Sequence, residues 1–144
     1  MNTDDYLKDR VTKQRNYFSA SAKKNKNGFM FISISKLFIS LSIAILSPIL
    51  GESSPGSIVV AILAAIVTFL DGIMFLKKYN ENWINYRMTN EQLKKEECFF
   101  RTKSEKYFGL KEEESLDIFV QNIESIIQNT NQNWEKTTSK KDKT

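Results

Sequence analysis

Two apolar stretches joined by a short polar turn constrain the fold of this chain most strongly. Residues 29–50 and 57–76 each hold about 20 residues, which at about 1.5 Å of helical rise per residue crosses a hydrocarbon layer about 30 Å thick. Within residues 29–76 the charged side chains are Lys36, Glu52 and Asp71, whereas both flanks are densely charged. The sequence therefore predicts an all-α membrane protein built on a two-helix transmembrane hairpin. Two buried helices of a soluble bundle are the alternative, although such helices normally keep a polar face.

Basic residues indicate which ends of the hairpin face the cytoplasm. The lysines nearest to the two stretches are Lys23, Lys24, Lys26, Lys77 and Lys78. The connecting sequence GESSPGS carries no Lys or Arg, so the positive-inside tendency places both termini in the cytoplasm and a turn at Pro55 and Gly56 on the far side. We attribute the formal net charge of +4 to this topology, against an anionic membrane face, rather than to nucleic-acid binding.

The flanking segments predict further helices and a tail. Residues 1–28 are predicted to form a cytoplasmic or interfacial helix, and Gly28 marks the entry into the first span, where a bend costs little. Its apolar residues at helical spacing are Leu7, Val11, Phe18 and Ala22. Residues 77–136 form a cytoplasmic helical region, and residues 137–144 read as a disordered basic tail.

The region after the second span contains two helices. No Pro or Gly interrupts the sequence up to Phe100, so a long helix leaves the membrane without a break. Gly109 ends this run, and acidic residues 112–114 begin the next helix. That helix carries an apolar stripe formed by Leu116, Phe119, Val120, Ile123, Ile126, Ile127, Thr130 and Trp134. The stripe packs either on the long helix of the same chain or on a neighbouring subunit.

Lys36 and Asp71 are expected to form an ion pair. They are equidistant from the middle of the turn, so an antiparallel hairpin places them at about the same depth. A lone charge on a spanning helix costs roughly 2.5–3.5 kcal/mol, and pairing within one hairpin or between adjacent subunits offsets that cost. In the simplest interpretation the pair neutralises two charges and fixes the helix register.

Each span also carries a stripe of small or polar residues. The candidate pore-lining residues of the first span are Ser33, Lys36, Ser40 and Ser47. The candidate hairpin-packing residues of the second span are Ala61, Ala64, Ala65, Thr68 and Gly72. Small residues let helices approach closely, whereas serines beside a charge can also line a wet path. Because two helices cannot enclose water, a pore requires a homo-oligomer, with about four or more copies in cyclic symmetry.

Residues typical of catalytic sites are missing from the chain. There is no histidine, no glycine-rich phosphate loop, and a single cysteine, Cys98, which is expected to be a buried structural thiol. Carboxylates between Glu91 and Glu97 alternate with lysines and read as a solvated helix face. The sequence therefore predicts no enzyme, no catalytic residues, no metal and no cofactor.

One motif is more specific than periodicity. The segment ENWINYRMTNEQLKKE resembles the signature W-x-x-Y-R-x-T-x-E-x-L-x-x-E of a bacterial two-transmembrane family of unknown function, grouped with the SLATT effectors (SMODS and SLOG associating two-transmembrane effector domains). The matching residues are Trp83, Tyr86, Arg87, Thr89, Glu91, Leu93 and Glu96. The N-terminal YLKDRVTKQRNYFSASAKKNK and the NWEK near the end are also similar to that family.

The resemblance implies a function in bacterial conflict systems. It implies an inner-membrane effector that forms a pore or otherwise perturbs the membrane and arrests phage-infected cells. A nucleotide second messenger or a separate sensor protein would activate it. The alternative is a non-conducting membrane anchor or scaffold that recruits a partner through the Leu116 to Trp134 stripe.

Three motif residues share one face of the predicted long helix. Trp83, Arg87 and Glu91 are spaced four apart, so Arg87 can lie against the indole while pairing with Glu91. This arrangement either stabilises the helix locally or lets Arg87 bind a neighbouring subunit or an anionic activator.

Overall fold

The computed structural model describes residues 6–50 and 54–139, in which every regular element is helical. The α-helices are α1 (Lys13–Leu50), α2 (Ser54–Lys77), α3 (Tyr79–Thr102) and α4 (Glu112–Ser139). A π-helical segment, Leu7–Thr12, precedes α1, and a 3-10 turn, Glu105–Tyr107, lies between α3 and α4. The predicted all-α class is thus confirmed for the described residues.

The two apolar stretches lie in α1 and α2, and both are long and apolar enough to cross a membrane. None of the residues in the most apolar part of either helix is buried. The largest of their exposed side chains include Phe31, Phe38, Ile45, Phe69 and Phe75. An apolar exterior of this kind suits hydrocarbon better than water.

The second apolar helix begins earlier than predicted. Pro55 and Gly56, expected to form the turn, lie in the first turn of α2, which starts at Ser54. Proline is tolerated there because the N–H groups of a first helical turn have no intrahelical acceptor. The connection is therefore shorter than GESSPGS, and residues 51–53 lie outside the described residues.

The helix that was predicted to leave the second span without a break is interrupted at Lys78. This residue has a φ of 46°, in the left-handed region, and its N–H donates to the carbonyl of Met74 at 3.0 Å. By contrast α1 runs continuously through Gly28, where the sequence would have tolerated a bend. A lysine in the left-handed region costs about 1–2 kcal/mol, so such a break has no clear signal in the sequence.

The end of α3 is also formed by a lysine rather than by Gly109. Lys103 has a φ of 49° and donates to the carbonyl of Phe100, while Ser104 donates to the carbonyl of Phe99 at 3.1 Å. These two bonds form a Schellman motif, which satisfies carbonyl groups at the helix end. Gly109, with a φ of 74°, turns the chain farther along, before α4.

The chain divides into two compact units. We call Lys24–Glu81 the two-helix unit and Met1–Lys23 with Asn82–Thr144 the core unit. The apolar core of the core unit consists of Tyr6, Leu7, Val11, Phe18, Leu93, Tyr107, Phe119, Ile123 and Ile127. We call residues 6–23 the N-terminal segment. This segment, α3, the 3-10 turn and α4 all contribute residues to one core.

The N-terminal segment is part of this core. Its predicted apolar side is buried, with Phe18 stacked on Tyr86 at 6.0 Å between ring centroids and Tyr6 against Phe119 at 6.2 Å. The apolar side of residues 6–23 is therefore covered by other parts of the same chain.

The stripe on α4 packs within the same chain. Phe119, Ile123, Ile127 and Thr130 are buried, and the side chain of Trp134 lies outside the described part. Helix α4 continues to Ser139, so residues 137–139 are helical rather than part of a disordered tail. Residues 140–144 lie outside the described residues.

An ion pair connects the N-terminal segment to α4. Arg10 donates from Nε and Nη2 to the two carboxylate oxygens of Glu124, both at 2.8 Å, and the hydroxyl of Tyr6 donates to Oε1 of Glu124 at 3.2 Å. The hydrogen bond from Arg10 lowers the pKa of Glu124, and burial, the largest cause, raises the pKa of Tyr6 to about 12. These contacts hold the segment in register on α4.

Candidate functional site

The charges of the two apolar helices meet in the two-helix unit. Lys36 on α1 donates through Nζ to a carboxylate oxygen of Asp71 on α2, as predicted from their distances to the turn. The side chain of Lys36 is 24% exposed and that of Asp71 is 56% exposed. The pair therefore lies at an open edge of the helix pair, where the carboxylate can meet a further partner.

The positions of Lys36 and Asp71 follow from the spacing of partly buried residues. On α1 the partly buried residues include Ile32, Lys36, Ile39, Ile43, Leu46 and Leu50, and on α2 they include Val60, Leu63, Val67, Leu70 and Met74; Ser33, Ser35 and Ile73 are partly buried beside them. Alternating steps of three and four are typical of an antiparallel seam of large aliphatic side chains. Lys36 occupies a seam position, whereas Asp71 lies beside the seam, which explains the difference in exposure.

The serine stripe of α1 lies mainly on the outside of the helix pair. Ser33 is half-buried, whereas Ser40 and Ser47 are exposed. Together with Lys36 they form a polar strip on the apolar stretch of α1, whose large exposed side chains are apolar. A strip of this kind can face water or another polar strip, but it is costly against hydrocarbon.

The small-residue stripe of α2 does not pack within the hairpin, contrary to the prediction. Ala61, Ala64, Ala65, Thr68 and Gly72 are all exposed, and nothing would touch a Cβ at Gly72 within 4 Å. The aliphatic seam explains this outcome, because its larger side chains already fill the contact between the two helices. The small residues are therefore available to a surface outside the chain.

Four residues of the sequence motif face the interior of the core unit. Tyr86 stacks on Phe18, Leu93 is fully buried, and the hydroxyls of Thr89 and Thr130 lie 2.8 Å apart. The fourth residue, Glu96, is buried. This half of the motif is explained by folding alone.

Glu96, which the sequence predicted to lie on a solvated helix face, is instead buried at the centre of a polar cluster. The hydroxyl of Tyr107 donates to Glu96, Lys106 lies 2.8 Å from Oε1 of the same carboxylate, and Asn122 donates to the Tyr107 hydroxyl at 3.3 Å. Burial is the largest cause that raises the pKa of Tyr107, followed by its hydrogen bond to Glu96. The cluster fixes the connection between α3 and α4, and only the folded chain brings its members together.

The other three motif residues line a groove on the outer side of α3. The groove measures about 380 Å³ and is lined by Trp83, Ile84, Arg87, Met88, Glu91 and Gln92. Glu91 pairs with Lys94 at 2.9 Å, not with Arg87 as the sequence predicted. The groove thus combines exposed apolar side chains with one positive and one negative residue of the motif.

A second, polar cleft of about 320 Å³ lies between α3 and α4. Its lining is formed by Asn85, Met88, Thr89, Gln92, Ile126, Asn129, Thr130 and Gln132. Amides and hydroxyls dominate this lining, and no charged side chain contributes to it. The cleft can hydrogen-bond a neutral polar group but offers no cation to a phosphate. The sequence shows that the side chains at 85, 92 and 129 are amides on predicted helices. It did not predict that these three side chains would line one cleft.

Cys98 is exposed, so the prediction of a buried thiol is wrong. It lies seven residues after Glu91, two helical turns along the same side of α3. Among the described residues no cluster of three or more His, Cys, Asp or Glu side chains could hold a metal ion.

Comparison with known proteins identifies one family, whose function is unknown. A family model described as a protein of unknown function, DUF4231, matches residues 13–115, which include α1 to α3, the outer groove and the Lys36–Asp71 pair. No curated protein and no solved structure matches the chain.

Proposed function

This chain belongs to the DUF4231 family of proteins of unknown function, and we propose that it is an oligomeric membrane protein whose copies assemble a pore. Its two apolar helices cross the membrane, with both termini in the cytoplasm. The polar strip of α1, with Ser40 and Ser47 at its exposed positions, lines the conducting path. Several copies in cyclic symmetry, about four or more, are needed because two helices cannot enclose water.

The exposure of Asp71 is the observation that carries this proposal. Its carboxylate is paired with Lys36 yet remains more than half exposed, beside helices whose largest exposed side chains are apolar. An ionised group left against hydrocarbon is expensive, so the open edge requires water or another copy of the chain. The exposed small residues of α2 support close approach of a second helix at the neighbouring face.

The biological role follows from the resemblance to the SLATT effectors. We place the protein in the bacterial inner membrane, where opening of the pore arrests growth in an antiphage conflict system. A nucleotide second messenger or a separate sensor protein supplies the signal. The polar cleft between α3 and α4 lacks a cation, so a phosphate-bearing activator has to bind elsewhere.

The scaffold alternative loses its expected docking surface. A non-conducting anchor was expected to recruit a partner through the apolar stripe of α4. Phe119, Ile123 and Ile127 of that stripe are buried in the core unit, so they are not available to another protein.

Ion flux from liposomes containing the purified protein tests the pore. Wild-type protein should conduct, Ser40→Trp should block flux, and Ile45→Trp should not, because Ile45 is exposed on the opposite side of α1. Both variants must first be shown to assemble like the wild type. Absence of flux from the wild type would overturn the proposal, and equal block by both variants would remove the serine strip from the path.

A further inference from the structure

The outer groove of α3 is not explained by the folding of the chain. Its motif residues Trp83, Arg87 and Glu91 lie outside the buried core, whereas the other half of the motif packs inward. Ile84 is 43% exposed and Met88 is 56% exposed within the same groove. Large apolar side chains beside an arginine and a tryptophan are typical of protein contact surfaces.

The charges of the groove complement each other between copies. Arg87 makes no ion pair with any residue that the structure describes. Glu91 uses one carboxylate oxygen for Lys94, and its side chain remains 60% exposed. Arg87, which has no ion-pair partner among the described residues, therefore lies one helical turn from Glu91, which has a carboxylate oxygen that Lys94 does not occupy. Around a cyclic axis such a face can supply the donor to one neighbouring copy and the acceptor to the other.

We propose that a second copy of this chain docks on the outer groove, with Arg87 of one copy donating to Glu91 of the next. Met88 and Ile84 are buried between the copies, and the charged pair forms the rim of the contact. An anionic lipid head group or nucleotide fits less well, because Glu91 would repel it from the guanidinium. This inference rests on the proposed oligomer but concerns only how the copies meet.

Charge reversal with oligomeric state as the readout tests the contact. Arg87→Glu and Glu91→Arg should each weaken association in detergent micelles by about tenfold, since each places like charges in contact. The combined Arg87→Glu, Glu91→Arg variant should return to within about threefold of the wild type. Asp117→Arg, an equal charge reversal at an exposed position of α4, is the control and should have no effect.

Cross-linking provides a second measurement that does not depend on charge. In a Cys98→Ser background, Met88→Cys should give cross-linked dimers with a short bis-maleimide in liposomes, and Ser125→Cys, exposed on α4, should not. Equal cross-linking of both variants would overturn the inference. So would single charge reversals that leave the oligomer unchanged but abolish binding of phosphatidylglycerol vesicles, which would assign the groove to lipid.

The two proposals fail in different ways. If the oligomer depends on the groove residues but conducts no ions, the proposed contact is supported and the proposed pore is wrong. If Arg87→Glu leaves both ion flux and the oligomer unchanged, the proposed pore is supported and the proposed contact is wrong.

Discussion

Gly28 lies directly against the ring of Tyr79 within the two-helix unit. A Cβ added to Gly28 would stand 3.0 Å from Cε1 of Tyr79 and 3.2 Å from Cδ1, closer than an ordinary van der Waals contact. Glycine inside a helix costs roughly 0.5–1 kcal/mol relative to alanine, and the close approach of the ring explains why this position lacks a side chain.

Gly28→Ala should therefore depend on Tyr79. In the wild type the gain in helix propensity is offset by the clash, so the thermal midpoint in detergent should stay the same or fall. In a Tyr79→Ala background the clash is gone, and the same substitution should stabilise by about 0.5–1 kcal/mol. An equal gain in both backgrounds would show that the ring moves aside without cost.

Acid should weaken the contact between Arg10 and Glu124. Because the folded-state pKa of Glu124 is below its ordinary value of 4.5, its contribution is present above pH 4.5 and is lost as the pH falls through the lowered pKa. Glu124→Gln should cost up to about 1 kcal/mol at pH 7, since the pair is well exposed, and progressively less as the pH falls towards 3. Thermal midpoints measured from pH 7 to pH 3 check this convergence.

Asp117→Asn is the matched control for this pH series. Asp117 is exposed on α4 and makes no ion pair with a described residue. A curve for Asp117→Asn that converges with the wild type in the same way would mean that Glu124 is not the group responsible.

Tyr107→Phe should destabilise the core unit. The hydroxyl donates to the buried carboxylate of Glu96, and the side chain of Tyr107 is 1% exposed. Removing one donor from a buried acceptor costs about 1–3 kcal/mol, although Lys106 still pairs with Glu96. Chemical denaturation measures the loss, and Tyr17→Phe, at a side chain that is 59% exposed, should change little. Equal effects of the two substitutions would contradict the importance of the buried hydrogen bond.

Lys36 and Asp71 should behave as a coupled pair. Lys36→Met and Asp71→Leu each leave one charge alone, at a cost of roughly 2.5–3.5 kcal/mol on the insertion scale. The double variant removes both charges and should recover the assembled fraction and thermal midpoint, because an apolar pair is tolerated in the place of an ion pair. Size-exclusion chromatography in detergent, combined with thermal melting, compares the four proteins. Additive losses in the double variant would show that the two residues act independently.

The spacing of apolar residues was sufficient to predict those parts of the fold that depend on a single face of one helix. The apolar sides of the N-terminal segment and of α4 were both predicted from three- and four-residue spacing, and the structure buries both of them. The Lys36–Asp71 pair was predicted by counting residues from the turn. In two antiparallel helices joined by a short turn, residues equally far from the turn lie side by side.

Features that depend on competition between contacts were predicted less well. The small residues of α2 were expected inside the hairpin, but the larger aliphatic residues form that seam. The helix breaks at Lys78 and Lys103 were missed, because a lysine in the left-handed region is tolerated only when the surrounding structure favours it. The motif was found as a unit, although its residues serve two opposite faces of α3.

The sequence by itself determined the helical class, the two apolar helices and the level along the helix pair at which their charges meet. These properties follow from local spacing and from the cost of placing charge among apolar residues. Only the tertiary structure decided which faces remain open: the edge at Asp71, the small residues of α2 and the groove around Arg87. A side chain's exposure depends on every element that can pack against it, and residues far apart in the chain set that competition.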